Sequence, residues 1–264
     1  MGLNSGFLRD FLDLKKRGVF IGSPAVIEIG AQQLSNDFLR STDLISEAFS
    51  TFGRSPIPLG EPVESDVING IEQQSEKNPS SREFWKSIGF IYAALDFDGH
   101  RDSTPLDLNR DRVREYMRGA YNLVVNTGTT EHVANQDNAF QVMHDLCRKN
   151  GIMYHQLPAG GMMTHGLITY TPKFFWHLCR ENNYEPLFLR IVGHAPNPVP
   201  QNIRDSNLQF GNYDTIPSDC LVPDFLVVAA LRKVHDSAFA TPLDVPPEVM
   251  PAANAAGGNG RFSN

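Results

Sequence analysis

The stretch AVIEIGAQQ, residues 25–33, decides the fold class of this chain. Its first part, residues 25–30, predicts a short buried strand that ends in a glycine turn, because a brief apolar run bounded by glycine is typical of a strand covered on both faces. Gly30 lets the backbone turn sharply and approach a ligand closely. The helix expected next can offer its N-terminal amides to that ligand. A strand, a glycine turn and a helix in this order indicate an α/β fold.

The same alternation extends outward in both directions along the chain. Six further strands are predicted at residues 90–95, 104–108, 121–125, 152–155, 187–192 and 225–231. Helices are predicted at residues 7–17, 38–49, 81–88, 111–120 and 135–150, and from Pro172 onward, with Asn150-Gly151 closing the helix before it. This order predicts a Rossmann-like, mostly parallel seven-stranded sheet with helices on both faces.

Length and composition predict one domain over residues 1–250. The chain has 264 residues, of which 41% are hydrophobic and 20% charged, which is enough for a packed core. Residues 53–80 hold four prolines among glycine, serine and acidic residues, and we expect a loop or lid there. Residues 251–264 are rich in alanine, glycine and asparagine and are expected to form a flexible tail.

Charge and cysteine content narrow the class of protein. The net charge of −7 disfavours nucleic acid as a partner, because an acidic surface repels phosphate. Three widely spaced cysteines form no CxxC pair, so neither a disulfide scaffold nor a structural zinc site is predicted. The N-terminus lacks the apolar core of a signal peptide, and no apolar run approaches the ~20 residues of a bilayer span. We therefore expect a cytoplasmic protein without a membrane partner.

Four strand ends carry the polar residues and glycines from which a ligand site can be built. In open α/β sheets, ligands bind beyond the carboxyl ends of the strands, where the strand order reverses. Asp96 follows the second strand and can accept hydrogen bonds from two ribose hydroxyls, and the neighbouring Phe97 can cover an adenine face. Asp107 follows the third strand, where it could meet an adenine amino group or simply start a turn. The fourth strand is followed by NTGTTEHV, residues 126–133.

Together these segments resemble the class I S-adenosylmethionine-dependent methyltransferases. Residues 28–30 look like the first motif of that family, Asp96 is similar to its ribose-binding acid, and Asp107-Leu108 looks like its adenine-contacting pair. The final strand pair resembles the antiparallel closing hairpin of that fold, so the last strand is expected to be antiparallel. Ala31-Gln32-Gln33 stands where the family usually has a further glycine. The resemblance implies S-adenosylmethionine as cofactor, bound by Glu28, Gly30, Ala31, Gln32, Asp96, Phe97, Asp107, Leu108, Asn126 and Gly128.

The residues 131–133, Glu-His-Val, resemble a stretch of small-molecule methyltransferases that lies beside the reactive methyl group. His132 is the first candidate for the base that takes the acceptor proton, because an imidazole titrates near neutral pH. His165 and His155, which flank a glycine-rich segment, are the reserve candidates. Glu131 could orient the histidine or a substrate hydroxyl, or could simply complement a helix N-terminus. A metal site built from these residues stays open, but no ligand spacing requires one, so no metal is assigned.

We expect the acceptor to be a small molecule, a sugar or secondary metabolite, that presents a hydroxyl group. A nicotinamide-dependent oxidoreductase is one alternative, although the chain lacks a full G-x-G-x-x-G run and a hydride-handling Tyr/Lys pair. A non-catalytic protein that binds the nucleotide is another. An RNA methyltransferase is disfavoured by the acidity and by the lack of a basic, aromatic-rich arm. The oligomeric state is left open.

Overall fold

The computed structural model describes residues 2–20, 24–63, 67–68, 71–72, 78–100, 103–160, 165–193 and 225–245. The strands are β1 (Ala25–Ile29), β2 (Val67–Ile68), β3 (Ile71–Glu72), β4 (Ile91–Asp96), β5 (Thr104–Pro105), β6 (Tyr121–Thr127), β7 (Cys147–Gly160), β8 (Glu185–Gly193) and β9 (Phe225–Arg232). The helices are α1 (Ser5–Lys16), α2 (Asn36–Arg40), α3 (Thr42–Thr51), α4 (Ser81–Ser87), α5 (Gln136–Leu146) and α6 (Pro172–Asn182).

Seven strands form one sheet in the order β5-β4-β1-β6-β7-β9-β8. The neighbours from β5 to β7 are all paired in parallel, whereas β9 is antiparallel to both β7 and β8. The predicted Rossmann-like sheet with an antiparallel last strand is therefore confirmed. The order runs outward from β1 on one side and from β6 on the other, so the reversal that favours ligand binding lies between these two strands.

Two apolar layers cover the two faces of the sheet. Ile27 and Ile29 point into a layer with residues of α5 and α6, and Val26 points into the other layer with residues of α1 and α4. Successive side chains of a strand alternate between faces. Glu28 therefore lies on the side of Val26, next to the rings of Phe84 and Trp85 from α4. The position of this carboxylate inside the core follows directly from the period of β1.

The predicted helix at residues 111–120 is wrong. Only a single 3-10 turn forms there, at Glu115–Met117. The side-chain amide of Asn138 donates to the carbonyls of Leu108 and Asp111, so the carbonyl of Asp111 is used by a side chain and not by a helical turn. Arg114 is extended, with φ −65° and ψ 144°. Tertiary hydrogen bonds thus outcompete the local helical preference.

The helix predicted to end at Asn150-Gly151 ends earlier, at Leu146. Cys147 is extended and pairs with Tyr121, and β7 continues from it. The Lys233 ammonium donates to the carbonyls of His144 and Cys147, which replaces the expected glycine cap. Asn150 does take a positive φ, 62°, but as a bend inside β7, where its N–H donates to the carbonyl of Lys233.

Two other predicted elements differ in extent. The predicted helix at residues 38–49 is divided into α2 and α3, because Ser41, with ψ 56°, leaves the helical conformation between them. The predicted strand at residues 104–108 is paired only at Thr104–Pro105, since Asp107 already begins a turn. The other helices and strands form where they were expected, with shifts of a few residues at their ends.

Parts of the domain prediction lie outside the described residues. The tail at residues 251–264 is among them, and so is much of the segment predicted as a lid. Residues 54–63 form no helix or strand, and the short hairpin of β2 and β3 follows them. Among the described residues, no helix has both the length and the apolar composition that a bilayer span requires. Cys147 and Cys179 are buried free thiols.

Candidate functional site

Three loops meet at the carboxyl ends of β1, β4 and β6. Gly30 has a φ of 78°, which L side chains rarely adopt, and its N–H donates to the carbonyl of Leu95 at 2.7 Å. A Cβ at this position would collide with Oγ1 of Thr129. The Thr129 hydroxyl in turn donates to the carbonyl of Ile29 at 2.6 Å. Gly30 is therefore required both by its backbone conformation and by the close approach of the loop after β6.

Glu28 supports the loop after β1 from inside the core. Its carboxylate is fully buried and accepts hydrogen bonds from the Ser81 hydroxyl, the Trp85 indole N–H, the Tyr92 hydroxyl and the Gln32 backbone N–H, at 2.6–2.9 Å. Burial raises the pKa of Glu28, and these hydrogen bonds oppose the rise. All four donors are groups of the protein itself. Glu28 would therefore influence a bound ligand by holding the loop in shape and not by contacting the ligand.

Gln32 explains how the loop forms without the additional glycine of the family motif. Its side-chain amide folds back and donates to the carbonyls of Ile29 and Gly30, at 3.2 and 3.1 Å. The same Nε2 lies 3.4 Å from Oγ1 of Thr129. The side chain thus closes the turn by hydrogen bonding, and it is itself almost completely buried.

Asp96 ends β4 directly beside this loop and is half-buried. One carboxylate oxygen accepts the N–H of Ala31 and the other accepts the N–H of Phe97, at 2.9 and 2.8 Å. A carboxylate offers about four lone-pair sites, so acceptor capacity is left for a ligand hydroxyl. The ring of Phe97 is 75% exposed, an unusual environment for a large aromatic side chain. Both predicted contact residues thus lie at one strand end and are accessible.

Asp107 and Leu108 are part of a turn that is tied to the start of α5. Oδ1 of Asp107 accepts the backbone N–H of Asn109, and the N–H of Asp107 donates to Asp111. Asn135 donates two hydrogen bonds to Asn109, from its backbone N–H to Oδ1 at 3.0 Å and from its side-chain amide to the backbone carbonyl at 2.9 Å. Leu108 is buried. The turn-forming alternative for Asp107 accounts for these contacts, and Oδ2 of Asp107 lies 4.0 Å from Nε of Arg110.

The loop after β6 carries Asn126 and Gly128. Asn126 is fully buried, and its amide donates to Oγ1 of Thr130 at 2.9 Å. Gly128 has a φ of 87°, which turns the chain toward the loop after β1. Tyr170 closes this region from the other side, since its hydroxyl donates to Oγ1 of Thr130 or to Oε1 of Gln136, at 2.9 and 2.6 Å.

Glu131, His132 and His165 come together in space although 33 residues separate the last two in sequence. Oε1 of Glu131 lies 3.4 Å from Nε2 of His165 and 3.8 Å from Nε2 of His132. The Glu131 side chain is fully buried, and burial raises its pKa to about 7. Burial also lowers the pKa of His132, although this side chain is half-exposed. The cluster therefore brings a buried carboxyl group with a raised pKa next to two imidazoles, a combination common at functional sites.

His155 lies apart from solvent, and this environment argues against the predicted reserve role as a base. Its ring is completely buried between Phe140 and Phe175, with centroid distances of 5.5 and 5.2 Å. Burial lowers its pKa to about 3. A base must contact the proton that it abstracts, whereas this imidazole is a neutral member of the core.

Several residues of the site were not anticipated from the sequence. The donors Ser81, Trp85 and Tyr92 surround Glu28, and the strict alternation along β1 was the signal that Glu28 points inward. Gly166 packs against Glu131, and a Cβ there would lie 2.9 Å from both Cγ and the carbonyl oxygen of Glu131. The sequence shows Gly166 next to His165, but it does not show that Glu131 is the residue against which this glycine packs.

Comparisons with known proteins find similar solved structures at low sequence identity only. No protein-family model matches the chain, and no curated protein matches it in sequence. Among solved structures, it is similar to a 1,6-didemethyltoxoflavin-N1-methyltransferase from Burkholderia thailandensis with bound S-adenosylhomocysteine (11% identity, 86% of this chain and 78% of the other, TM-score 0.42).

It is also similar to an S-adenosylmethionine-dependent methyltransferase from Archaeoglobus fulgidus (10% identity, 86% and 94% coverage, TM-score 0.42). A third similar structure is a 16S rRNA (adenine(1408)-N(1))-methyltransferase from Catenulisporales acidiphilia (8% identity, 86% and 94% coverage, TM-score 0.38). Identity and TM-score are low in all three, so the assignment of the Rossmann-like fold rests on the strand order of this chain itself.

Proposed function

We propose that this chain is an S-adenosylmethionine-dependent methyltransferase that acts on a hydroxyl group of a small molecule. The observation that carries the proposal is the half-buried Asp96 at the end of β4, hydrogen-bonded to Ala31 of the loop after β1 and adjacent to the exposed ring of Phe97. A carboxylate beside the glycine turn of β1, the strand that borders the reversal point of this open sheet, suits a nucleoside. The sequence motifs assign the same residues to this cofactor.

In this proposal each strand end binds a different part of the cofactor. Asp96 accepts the two ribose hydroxyls and Phe97 covers the adenine, with Asp107 and Leu108 at the adenine edge. Gly30, Ala31 and Gln32 allow the methionine part to approach the backbone, and Glu28 keeps their loop in shape. Asn126 and Gly128 form the neighbouring wall, which leads to Glu131 and His132.

The transfer needs a base when the acceptor is a hydroxyl. S-adenosylmethionine supplies a methyl group that is already activated by its sulfonium, so the protein contributes mainly alignment and a dry site. His132 accepts the proton of the acceptor hydroxyl as the new oxygen–carbon bond forms and the sulfur–carbon bond breaks. Glu131 orients His132, and His165 is the second candidate for the same task. His155 is left out because it is enclosed in the core.

The nature of the acceptor is the finer part of the proposal. The net charge of −7 favours a small molecule, a sugar or secondary metabolite, over a nucleic acid. The half-exposed His132 and the partly exposed His165 leave room for such a molecule beside the cluster. We place the enzyme in the cytoplasm in the same proposal, on the basis of the sequence expectations.

Ligand binding tests the cofactor assignment without knowledge of the acceptor. Isothermal titration should show one S-adenosylhomocysteine bound per chain and no binding of NAD. Asp96→Asn should weaken this binding about 10- to 100-fold, since a hydrogen bond to a charged group contributes about 1.5–3 kcal/mol. The matched control is Asp98→Asn, two residues further along the same loop, where the exposed carboxylate accepts the N–H of His100 within the described part of the chain.

The result that would overturn the assignment is equal affinity of Asp96→Asn and the wild type, or stabilisation of the protein by NAD alone. If S-adenosylhomocysteine binds as expected, a screen of hydroxyl-bearing metabolites with a labelled methyl donor identifies the acceptor. A protein that binds the cofactor but methylates nothing in such a screen would favour the non-catalytic alternative.

A further inference from the structure

We propose that Glu131, His132 and His165 bind a divalent transition-metal ion, with Zn²⁺ as the expected ion. One ligand atom from each residue lies within 4.8 Å of the other two. Two of the three residues directly follow the loop after β6. Its metal binding does not depend on the proposed function, whereas the role of the ion in catalysis rests on it.

The first argument is the carboxylate of Glu131. Its side chain is completely buried, and neither oxygen accepts a hydrogen bond from another described residue, although its own backbone N–H opposes the rise of its pKa. Burying a carboxylate without hydrogen bonds costs several kcal/mol, and proteins normally pair such a group or use it to coordinate a metal. Two imidazole nitrogens face it at 3.4 and 3.8 Å, close to it but outside hydrogen-bond geometry. A cation between the three groups would satisfy the carboxylate.

The second argument is the spacing. Zinc binds imidazole nitrogen at about 2.0–2.1 Å and carboxylate oxygen at about 2.0–2.2 Å, with tetrahedral angles, which separates two ligand atoms by roughly 3.4 Å. The observed separations from Oε1 of Glu131 are 3.4 Å to His165 and 3.8 Å to His132. Two of the three separations are therefore close to those around a bound ion, and the ligand atoms of the two histidines lie within 4.8 Å of each other.

The third argument is that the backbone holds the two segments together. The N–H groups of Leu167 and Ile168 donate to the carbonyl of Glu131, at 2.8 and 3.0 Å. Gly166 lies between them and His165, and its lack of a side chain allows contact with Glu131. The carboxylate and the distant histidine are thus brought together by the fold, as is required of a preformed ligand set.

The donor set determines which ion fits. Two imidazole nitrogens and one carboxylate match the three protein ligands of catalytic zinc sites, which leave a position open. Mg²⁺ and Ca²⁺ prefer oxygen ligands and are disfavoured. His132 and His165 are 51% and 32% exposed, so the two imidazoles of the ligand set can be reached from solvent.

A bound ion changes one step of the proposed mechanism. A histidine that ligates a metal cannot accept a proton at the same nitrogen, so His132 would then position the ion. The metal would bind the acceptor hydroxyl and lower its pKa, so that the proton passes to a solvent base before the methyl group is transferred. Activity that depends on the metal and activity that depends on a free His132 are therefore distinguishable.

Metal titration of the full chain, stripped with a chelator and free of cofactor, tests the site directly. Zn²⁺ should bind with one ion per chain by calorimetry, and Co²⁺ should give the visible absorption of a low-coordinate nitrogen–oxygen site. Glu131→Gln and His165→Ala should each weaken binding by more than about 100-fold, because loss of a ligand exceeds the 10- to 100-fold effect of an outer partner. The control is His235→Ala, an exposed histidine outside the cluster, which should bind like the wild type.

The proposal is overturned if no ion binds, if Mg²⁺ competes equally with Zn²⁺, or if Glu131→Gln binds Zn²⁺ as tightly as the wild type. Should Glu131→Gln fail to fold, the exposed His132→Ala replaces it. S-adenosylhomocysteine titration of the same samples separates the two proposals. Cofactor binding without metal binding refutes only the metal site, and metal binding without cofactor binding refutes only the proposed function.

Discussion

Two buried glutamates lie close to the carboxyl edge of the sheet, and their surroundings are opposite. Glu28 and Glu131 both have no solvent exposure. Four residues donate hydrogen bonds to Glu28, whereas Glu131 receives none on its oxygens from other described residues. A fully bonded buried carboxylate stabilises its surroundings, whereas an unbonded one costs stability. We therefore attribute the loop structure to Glu28 and keep Glu131 for the proposed chemistry.

The largest expected effect comes from the same isosteric change at both glutamates, measured by urea unfolding in the presence of a chelator. Glu28→Gln should lower the free energy of unfolding by about 3 kcal/mol, because the amide NH₂ replaces an acceptor among donors that become unsatisfied. Glu131→Gln should leave it unchanged or raise it, since no donor from another residue is lost and the cost of burying an unbonded carboxylate is removed. Equal losses at the two positions would refute the contrast between them.

The next largest effect concerns the imidazoles. Burial lowers the pKa of His155 from the usual 6.5 to about 3 in the folded protein. As the pH falls, this imidazole is therefore protonated in the unfolded chain before it is protonated in the folded one. Its contribution to stability is complete above pH 6.5 and is lost as the pH falls toward 3. Relative to pH 7, the wild type should lose about 2 kcal/mol at pH 5 through this residue, at about 1.4 kcal/mol per pH unit.

His155→Phe should flatten this part of the stability curve, and His235→Gln, at an exposed site, should not. The measurement is urea unfolding at a series of pH values. A wild-type curve of the same slope as that of His155→Phe would mean that this imidazole is protonated, or solvated, in the folded protein, contrary to its enclosure between Phe140 and Phe175.

The smallest effect concerns the loop that Glu28 supports. Gly30→Ala should cost the roughly 1–2 kcal/mol of a positive φ plus the collision with Thr129, and should weaken S-adenosylhomocysteine binding. Gly53→Ala is the matched control, since Gly53 also has a positive φ, 65°, but has nothing within 4 Å of the added Cβ. The difference between the two variants measures the contact between the loops.

A double variant isolates that contact. Gly30→Ala with Thr129→Ala should recover part of the loss, because the hydroxyl that collides is removed. If the two changes are simply additive, the loops after β1 and β6 are not in contact in solution, and the assembly of the cofactor site from three strand ends would have to be revised.

Much of the fold was accessible from the sequence because its strands are short apolar runs bounded by polar residues and glycine. All seven strands of the sheet were located, and the closing antiparallel strand was expected from the resemblance. The prediction of a helix at residues 111–120 was wrong because Asn138 of α5 donates hydrogen bonds to the carbonyls of Leu108 and Asp111. The early end of α5 was missed because Lys233, far away in sequence, caps it. Local patterns carry no information about such partners.

By itself, the sequence determined the α/β class, the positions of the strand ends and the presence of acids, glycines and histidines at them, because these follow from apolar periodicity and turn chemistry over a few neighbouring residues. Only the tertiary structure decided which of these residues meet. It buried Glu28 among donors and His155 among aromatic rings, left Asp96 and Phe97 accessible, and brought His165 next to Glu131. Burial and hydrogen bonding depend on segments distant in sequence, and they decide which polar residue stabilises the fold and which remains available for chemistry.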